Sequence, residues 1–439
     1  MRGIEAALKV FAEVNEGAFA AETLRKVYSD IAPADRPLAA MLVYSSLRRL
    51  GLWKHLLMRY SKRDVRDMSV HTQNALIVGI AGIIELKYFA MPVLVNGIVQ
   101  SIKARGDERD IGLVNAILHT VADEAPAYLA QLKKGSALRD QALFWGVPGW
   151  VAAQWSKDLS IPDAKRLVRA SGMKTYLSLR LSSFVERAEW LDFFNKPKKK
   201  GWPSDWLAHS VRTASNPYPL DIPGFGEGKI TPQSESSMLV GETVAKLWKG
   251  GPVLDMCCGR GIKTGQIAGL LPECQIEAWD LSVPRVRAAE SEMTRVHARE
   301  RVFFKTGDAL KLKPKGTPDL VLLDAPCSGS GTWGRHPESK WRTTPEMLAE
   351  KSHLQKKLLA RAVSLVAPGG VVAYSTCSMF REENEQVVAA VMAERQDLFE
   401  IPLERTHKLM RKGKPYGTVI WPGLPWIDGF YIALLAKRK

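Results

Sequence analysis

The sequence predicts an α/β chain: a doubly wound, mostly parallel sheet in its second half, preceded by an all-helical bundle and a small α+β segment. Three observations carry this reading. Apolar residues recur at helical spacing through roughly the first 140 positions. A short run alternates in polarity near residue 178. From residue 229 onward, strand-like runs alternate with helical ones, the pattern of repeated βα units.

In order along the chain, Ile4, Ala7, Leu8, Phe11 and Val14 form the first helical face, and Leu38, Leu42 and Leu47 a second one behind Pro37 at a helix start. Further helices are expected over residues 74–85, 93–104 and 112–123, punctuated by Pro92 and Gly106. The texture changes at Trp145: Val147-Pro148-Gly149-Trp150 opens a helix, and Thr175-Tyr176-Leu177-Ser178-Leu179-Arg180-Leu181 alternates like a half-buried strand. The basic run Lys196-Pro197-Lys198-Lys199-Lys200, followed by Trp202 and Trp206, fits either phosphate and base contacts or a solvated loop. After the glycine-rich segment 223–228, strands are expected at 253–256, 276–279, 302–304, 320–323, 371–374 and 430–435, with a helix at 354–366. The expected domains are therefore residues 1–140, 145–228 and 229–439, in keeping with a length of 439 residues.

A composition of 46% hydrophobic and 25% charged residues is that of a globular protein. Lys and Arg outnumber Asp and Glu by 62 to 46, and a net charge of +16 points to a polyanion such as nucleic acid. The five cysteines, Cys257, Cys258, Cys274, Cys327 and Cys377, lack paired zinc-finger spacing, so neither a metal site nor a disulfide framework is expected. Glu5 interrupts any secretory leader, and the most apolar stretch, residues 75–99, is broken by Glu85, Lys87 and Pro92. A cytoplasmic protein without membrane contact is expected; oligomeric state stays open, with a monomer favoured.

The first strand of the α/β half runs into Asp255-Met256-Cys257-Cys258-Gly259-Arg260-Gly261-Ile262-Lys263-Thr264-Gly265. Glycines let backbone approach a ligand there, and the helix that follows presents its N-terminus. Asp280 closes the second strand, where a carboxylate can hold a ribose diol, and Asp308 follows the third. A nicotinamide enzyme would share these features, but it leaves the later cysteines unexplained.

Those cysteines lie in Asp324-Ala325-Pro326-Cys327-Ser328-Gly329 and Tyr374-Ser375-Thr376-Cys377-Ser378, each just past a strand C-terminus. That edge of an open α/β sheet is where ligands bind. The pair fits one reaction. C5 of cytosine becomes nucleophilic when a thiolate adds at C6, and a second group must then remove the C5 proton so that the thiolate is expelled. Asp324 is placed to hold the base at N3 and the exocyclic amine, and burial would allow it to act protonated.

At these residues the chain resembles the bacterial 16S ribosomal RNA cytosine-C5 methyltransferase family, most closely its B branch, also called Sun/Fmu. The matching segments are Gln233-Ser234-Glu235-Ser236-Ser237, residues 255–264, Asp280 with Ser282 and Arg285, Asp308, residues 324–332, Arg335-His336-Pro337 with Lys340-Trp341, residues 374–378 and Asp428-Gly429-Phe430. Together they span residues 231–439 almost throughout. Val95-Asn96 and Leu113-Val114-Asn115-Ala116-Ile117-Leu118 resemble a NusB-like RNA-binding bundle, and the strand near Leu179 resembles the family's linker domain.

The resemblance implies a Rossmann-like methyltransferase domain that uses S-adenosylmethionine on RNA, with Cys377 as nucleophile and Cys327 as the cysteine for product release. It implies cofactor contacts from Cys257, Cys258, Gly259, Arg260, Gly261, Ile262, Lys263, Asp280, Arg285, Asp308 and Asp324. Arg335 and Lys340 join Lys198 and Lys199 as candidate RNA-binding residues. Arg260 and Ile262 depart from the usual glycine-rich turn, and Ser234 stands where an aspartate is usual. Two other readings remain at this point: a DNA cytosine-C5 methyltransferase attacking through Cys327, against which the second cysteine argues, and a non-catalytic RNA-binding assembly factor.

Overall fold

A computed structural model describes residues 2–195, 201–214, 222–404 and 406–439. The candidate RNA contacts Lys198 and Lys199 lie outside the described residues. The chain forms two units: residues 2–174 joined by Trp333–Arg342, and the remainder from Thr175 on.

The first unit is all-helical. Arg2–Asn15 buries Ile4, Ala7, Leu8, Phe11 and Val14 against Arg36–Arg48, so the predicted apolar face is the packing face. Val70–Glu85 is capped by the Ser69 side chain and is buried along most of its length. The helix expected at 112–123 runs instead over Ile111–Lys134 and passes through Pro126, because Leu129 and Leu132 beyond the proline are buried in the same core. Helix also continues past residue 140, in Leu138–Phe144, Gly149–Asp158 and Ile161–Gly172. Val151, Trp155 and Leu167 are buried there, and this unit extends to Lys174 rather than ending near 140.

Lys340 requires a correction. Expected to meet RNA, it is fully buried in the helical unit, where its Nζ donates to the carbonyls of Arg48 (2.7 Å) and Ser171 (3.2 Å). Burial first, then Arg48 and Arg49, holds its pKa well below the usual lysine range. Trp341 Nε1 donates to Leu47 O (2.6 Å) and Arg342 Nη2 to Val14 O (2.9 Å), so this short segment, far away in sequence, fastens helix ends.

The second unit opens with a four-stranded antiparallel sheet: β1 (Ser178–Leu181), β2 (Gly201–Pro203), β3 (Ser210–Thr213) and β4 (Ile230–Pro232), in the order β2-β3-β1-β4. Its core is Leu179, Leu181, Trp190, Phe194, Val211 and Ile230. Since β4 lies beyond residue 228 yet pairs with β1, the expected boundary at 228/229 cuts through this sheet; the segment belongs with the catalytic unit.

The large sheet contains β5 (Val253–Asp255), β6 (Ile276–Asp280), β7 (Val302–Thr306), β8 (Leu320–Asp324), β9 (Val371–Thr376), β10 (Leu398–Ile401), β11 (Met410–Lys412), β12 (Thr418–Ile420) and β13 (Phe430–Lys437). All six predicted strands are present. The order is β11-β12-β13-β9-β8-β5-β6-β7, parallel from β9 to β7, with β13 antiparallel to β9 and β10 also paired to β13. Connections run outward from β5 in one direction and from β8 in the other. The switch point, where doubly wound sheets hold their ligands, thus falls between Asp255 and Asp324. Among the described residues, no helix is long and apolar enough to cross a membrane.

Candidate active site

β5 ends at Asp255, whose Oδ2 accepts from Thr264 Oγ1 (2.7 Å) on the following helix, Ile262–Leu270. The turn between them needs its glycines: Gly259 and Gly261 adopt φ of +57° and +77°, and a Cβ on Gly261 would sit 3.0 Å from that of Ala289. A Cβ on Gly259 would meet nothing within 4 Å, so the backbone there borders open space. Arg180 of β1 braces the turn from beneath, donating to Ile262 O (2.9 Å) and to Gln233 Oε1 (2.5 Å). Its role was invisible in the sequence, because only the fold brings β1 to this helix.

Asp280, at the end of β6, accepts from the backbone N–H of Gly259 (3.0 Å) and of Ser282 (2.9 Å). Each oxygen retains lone-pair capacity, as a diol contact requires. Asp308 Oδ1 accepts from Leu310 N (3.0 Å), and Arg285 is exposed on the helix after β6. Burial, followed by the charges of Asp255 and Asp280, pushes the thiols of Cys257 and Cys258 up, which removes both as nucleophiles. The open backbone at Gly259, the anchored carboxylate at Asp280 and the helix N-terminus fit S-adenosylmethionine. If Asp280 holds the cofactor's diol, Asp280→Ala is expected to weaken cofactor binding about 10-fold or more by calorimetry, since it would remove that acceptor and untie Gly259. Equal affinity would exclude Asp280 from the site.

Asp255 titrates unusually. Burial first, then the charge of Asp324, raises its pKa to about 7. An acid that keeps its proton when folded and loses it when unfolded makes stability fall as pH rises between the two pKa values. The window is about pH 4 to 7, and at most about 4 kcal/mol is lost across it. Melting curves should show the wild type losing ground to Asp255→Asn over that window; a pH-independent difference would contradict the shift.

β8 and β9 carry the thiols. Their parallel register places Asp324 beside Ser375, and Cys327 Sγ lies 3.4 Å from Cys377 Sγ. Asp324 Oδ2 accepts from Lys263 Nζ (2.5 Å) and Oδ1 from Ser375 Oγ (2.8 Å). With 30% of its side chain accessible and an ammonium against it, Asp324 lacks the burial on which a protonated role depended. The Cys327 thiol is pushed well above its usual range, first by the Cys377 sulfur to which it hydrogen-bonds and then by burial.

Beneath both thiol loops lies a buried polar core that sequence reasoning missed. Glu383, fully buried, accepts from Ser328 N (2.8 Å), Ser328 Oγ (2.5 Å) and Gln355 Nε2 (3.1 Å). Gln355 also donates to Pro326 O (2.9 Å). Ser378 and Ser330 are in hydroxyl contact (3.2 Å), while Gly331 N donates to Cys377 O (2.9 Å). The available signal was Glu383-Asn384-Glu385 shortly after the second cysteine, acidic residues where a surface helix would tolerate any polar group.

Of the remaining expected residues, Arg335 belongs to the helical unit with Lys340 and not to the unit that carries the thiols. Residues 257–263, Asp280, Asp308, Asp324, Cys327 and Cys377 lie at or just past the C-terminal ends of β5, β6, β7, β8 and β9, along one edge of the large sheet. A parallel sheet with a glycine turn at its switch point and one antiparallel strand beside β9 is methyltransferase architecture, and the chain is an S-adenosylmethionine-dependent methyltransferase.

Comparison with known proteins agrees with this reading. Residues 243–436 match the model of the 16S rRNA methyltransferase RsmB/F family, and residues 3–123 that of the NusB family. The catalytic domain is thus similar to the RsmB/F family and the N-terminal one to the NusB family. It is 27% identical to the ribosomal RNA small subunit methyltransferase B of Klebsiella pneumoniae subsp. pneumoniae, over 97% of this chain and 96% of that protein. The solved structure of PH0851 shares the fold at a TM-score of 0.83 with 22% identity, covering 99% of this chain and 98% of that one. NSun6 from Pyrococcus horikoshii, solved with SFG, does so at 0.59 with 18% identity, covering 66% and 98%.

Proposed function

We propose that this enzyme methylates C5 of a cytosine in 16S ribosomal RNA through a covalent bond between Cys377 and C6. The carrying observation is the pair of thiols 3.4 Å apart at the ends of adjacent parallel strands, beside Asp324. The match to the 16S rRNA methyltransferase model supports RNA as substrate, and the relatives named as small subunit methyltransferases support the 16S species.

Cys327, whose proton is held by the neighbouring sulfur, stabilises negative charge on Cys377 by donating to it. Cys377 then forms the S–C6 bond, and the electrons displaced toward C5 make that carbon a nucleophile. S-adenosylmethionine, when bound, supplies the electrophilic methyl group. Asp324 accepts from the exocyclic amine and orients the ring. Once Cys377 is a thioether, the main cause of the raised Cys327 pKa is gone, so Cys327 releases its own proton to solvent and acts as a thiolate base. Removal of the C5 proton restores the C5–C6 double bond and expels Cys377.

Both thiols and the cofactor turn come from one chain, which supports action as a monomer, and a ribosomal RNA substrate supports a cytoplasmic location. The test is methyl transfer from labelled S-adenosylmethionine to protein-free 16S rRNA, with bisulfite sequencing to locate the product. Label at one or a few cytosines is expected; label elsewhere than cytosine C5, or none, overturns the reading.

A further inference from the structure

The small sheet presents an aromatic cluster that the reaction above does not use. Trp202, on the edge strand β2, is 40% exposed, and its ring lies 5.4 Å from that of Trp426. The Tyr176 ring lies 6.5 Å from that of Trp426, and the Arg212 guanidinium lies 5.5 Å from the same indole. Trp426 Nε1 donates to Thr213 O (2.7 Å), and Tyr176 N to Pro425 O (2.8 Å), so the backing rings are held rigidly. Nearby, Trp206 packs at a tilt against His407 (4.5 Å), which opens a basic stretch with Lys408, Arg411, Lys412 and Lys414 all exposed.

The cluster is close to the thiols. Trp426 lies three positions before Gly429, whose N–H donates to Gly331 O (2.9 Å), and Gly331 N in turn donates to Cys377 O (2.9 Å). Chain dimensions limit the path from Trp426 to Cys377 to roughly 20 Å. That is the reach of a few nucleotides of extended strand.

We propose that Trp202, backed by Trp426 and flanked by the basic stretch 408–414, is a stacking platform for a nucleobase near the cytosine being methylated. This rests on the RNA reading of the thiol pair. A half-exposed indole on a rigid aromatic backing offers a flat face at little entropic cost, and the neighbouring cations match the phosphates of the same strand. Stacking requires an unpaired base, so the platform selects single-stranded RNA at the target.

The test uses the full chain with a single-stranded 16S rRNA fragment carrying the cytosine located by bisulfite sequencing as probe, bound by fluorescence anisotropy and methylated under steady-state conditions. Trp202→Ala is expected to weaken binding and raise KM about 5- to 150-fold, with kcat and S-adenosylmethionine affinity unchanged and Trp202→Phe restoring most of the loss. A mutant cycle with single abasic nucleotides placed along the probe separates stacking from structure. In the wild type one position should carry a penalty that vanishes in Trp202→Ala. Binding by Trp202→Ala within about twofold of wild type, or an equal abasic penalty in both, overturns the platform alone. A wild type that neither binds nor methylates the probe overturns the RNA reading and the platform with it.

Discussion

Cys377→Ala protein, mixed with RNA and S-adenosylmethionine, should form no methylated product and no covalent complex, whereas Cys327→Ala should accumulate a protein–RNA adduct that survives boiling. The asymmetry follows from order in the reaction. Without the attacking sulfur no C6 bond forms; without the releasing one the bond forms and persists. The two thiols are neighbours at 3.4 Å, so a general collapse of the site would affect both variants alike and cannot produce opposite results. Turnover should fall by at least about 10⁴-fold in Cys377→Ala, the scale of removing a covalent nucleophile. Denaturing gels with labelled RNA read the outcome. A shifted band with Cys377→Ala and none with Cys327→Ala would assign attack to Cys327, as in the DNA-enzyme alternative.

The second large effect is expected at Glu383, which touches neither substrate nor cofactor in this scheme and acts as a positioning residue. Its carboxylate holds the loop of Cys327 through Ser328 N and Oγ, and Gln355 joins the same oxygen to Pro326 O. Glu383→Ala leaves buried donors without an acceptor, which costs about 3–5 kcal/mol if the loop stays put and frees the loop if it does not. Either way Cys327 loses its register with Cys377, and a displacement of about 1 Å is worth on the order of 100-fold in rate. Methyl transfer should fall by at least that factor while S-adenosylmethionine binding, at the ends of β5 and β6, is kept. The expected signature is slow adduct decay, approaching that of Cys327→Ala. Normal decay with merely lower stability would reduce Glu383 to a structural residue.

The strands of the large sheet were legible in the sequence because they are buried on both faces and read as continuous apolar runs, such as Leu320-Val321-Leu322-Leu323. The glycine turn, Asp280 and the two cysteines were legible because each follows such a run directly, and chain order alone carries a residue to the ligand edge of a parallel sheet. Lys340 misled for the converse reason: a lysine reads as solvated until a fold supplies carbonyls to receive its ammonium, here from Arg48 and Ser171.

By itself, then, the sequence determined the helical first part, the βα alternation, the cofactor turn and the presence of two strand-end thiols, all of which depend on local pattern. Only the tertiary structure decided what depends on distant residues meeting. It set the switch point between β5 and β8, the 3.4 Å thiol contact across residues fifty positions apart, and the pairing of β4 with β1 across the expected domain boundary. It also buried Glu383 under the loop of Cys327 and set Trp426 against Trp202. Such contacts arise from strand register and long-range packing, and no local window of sequence encodes either.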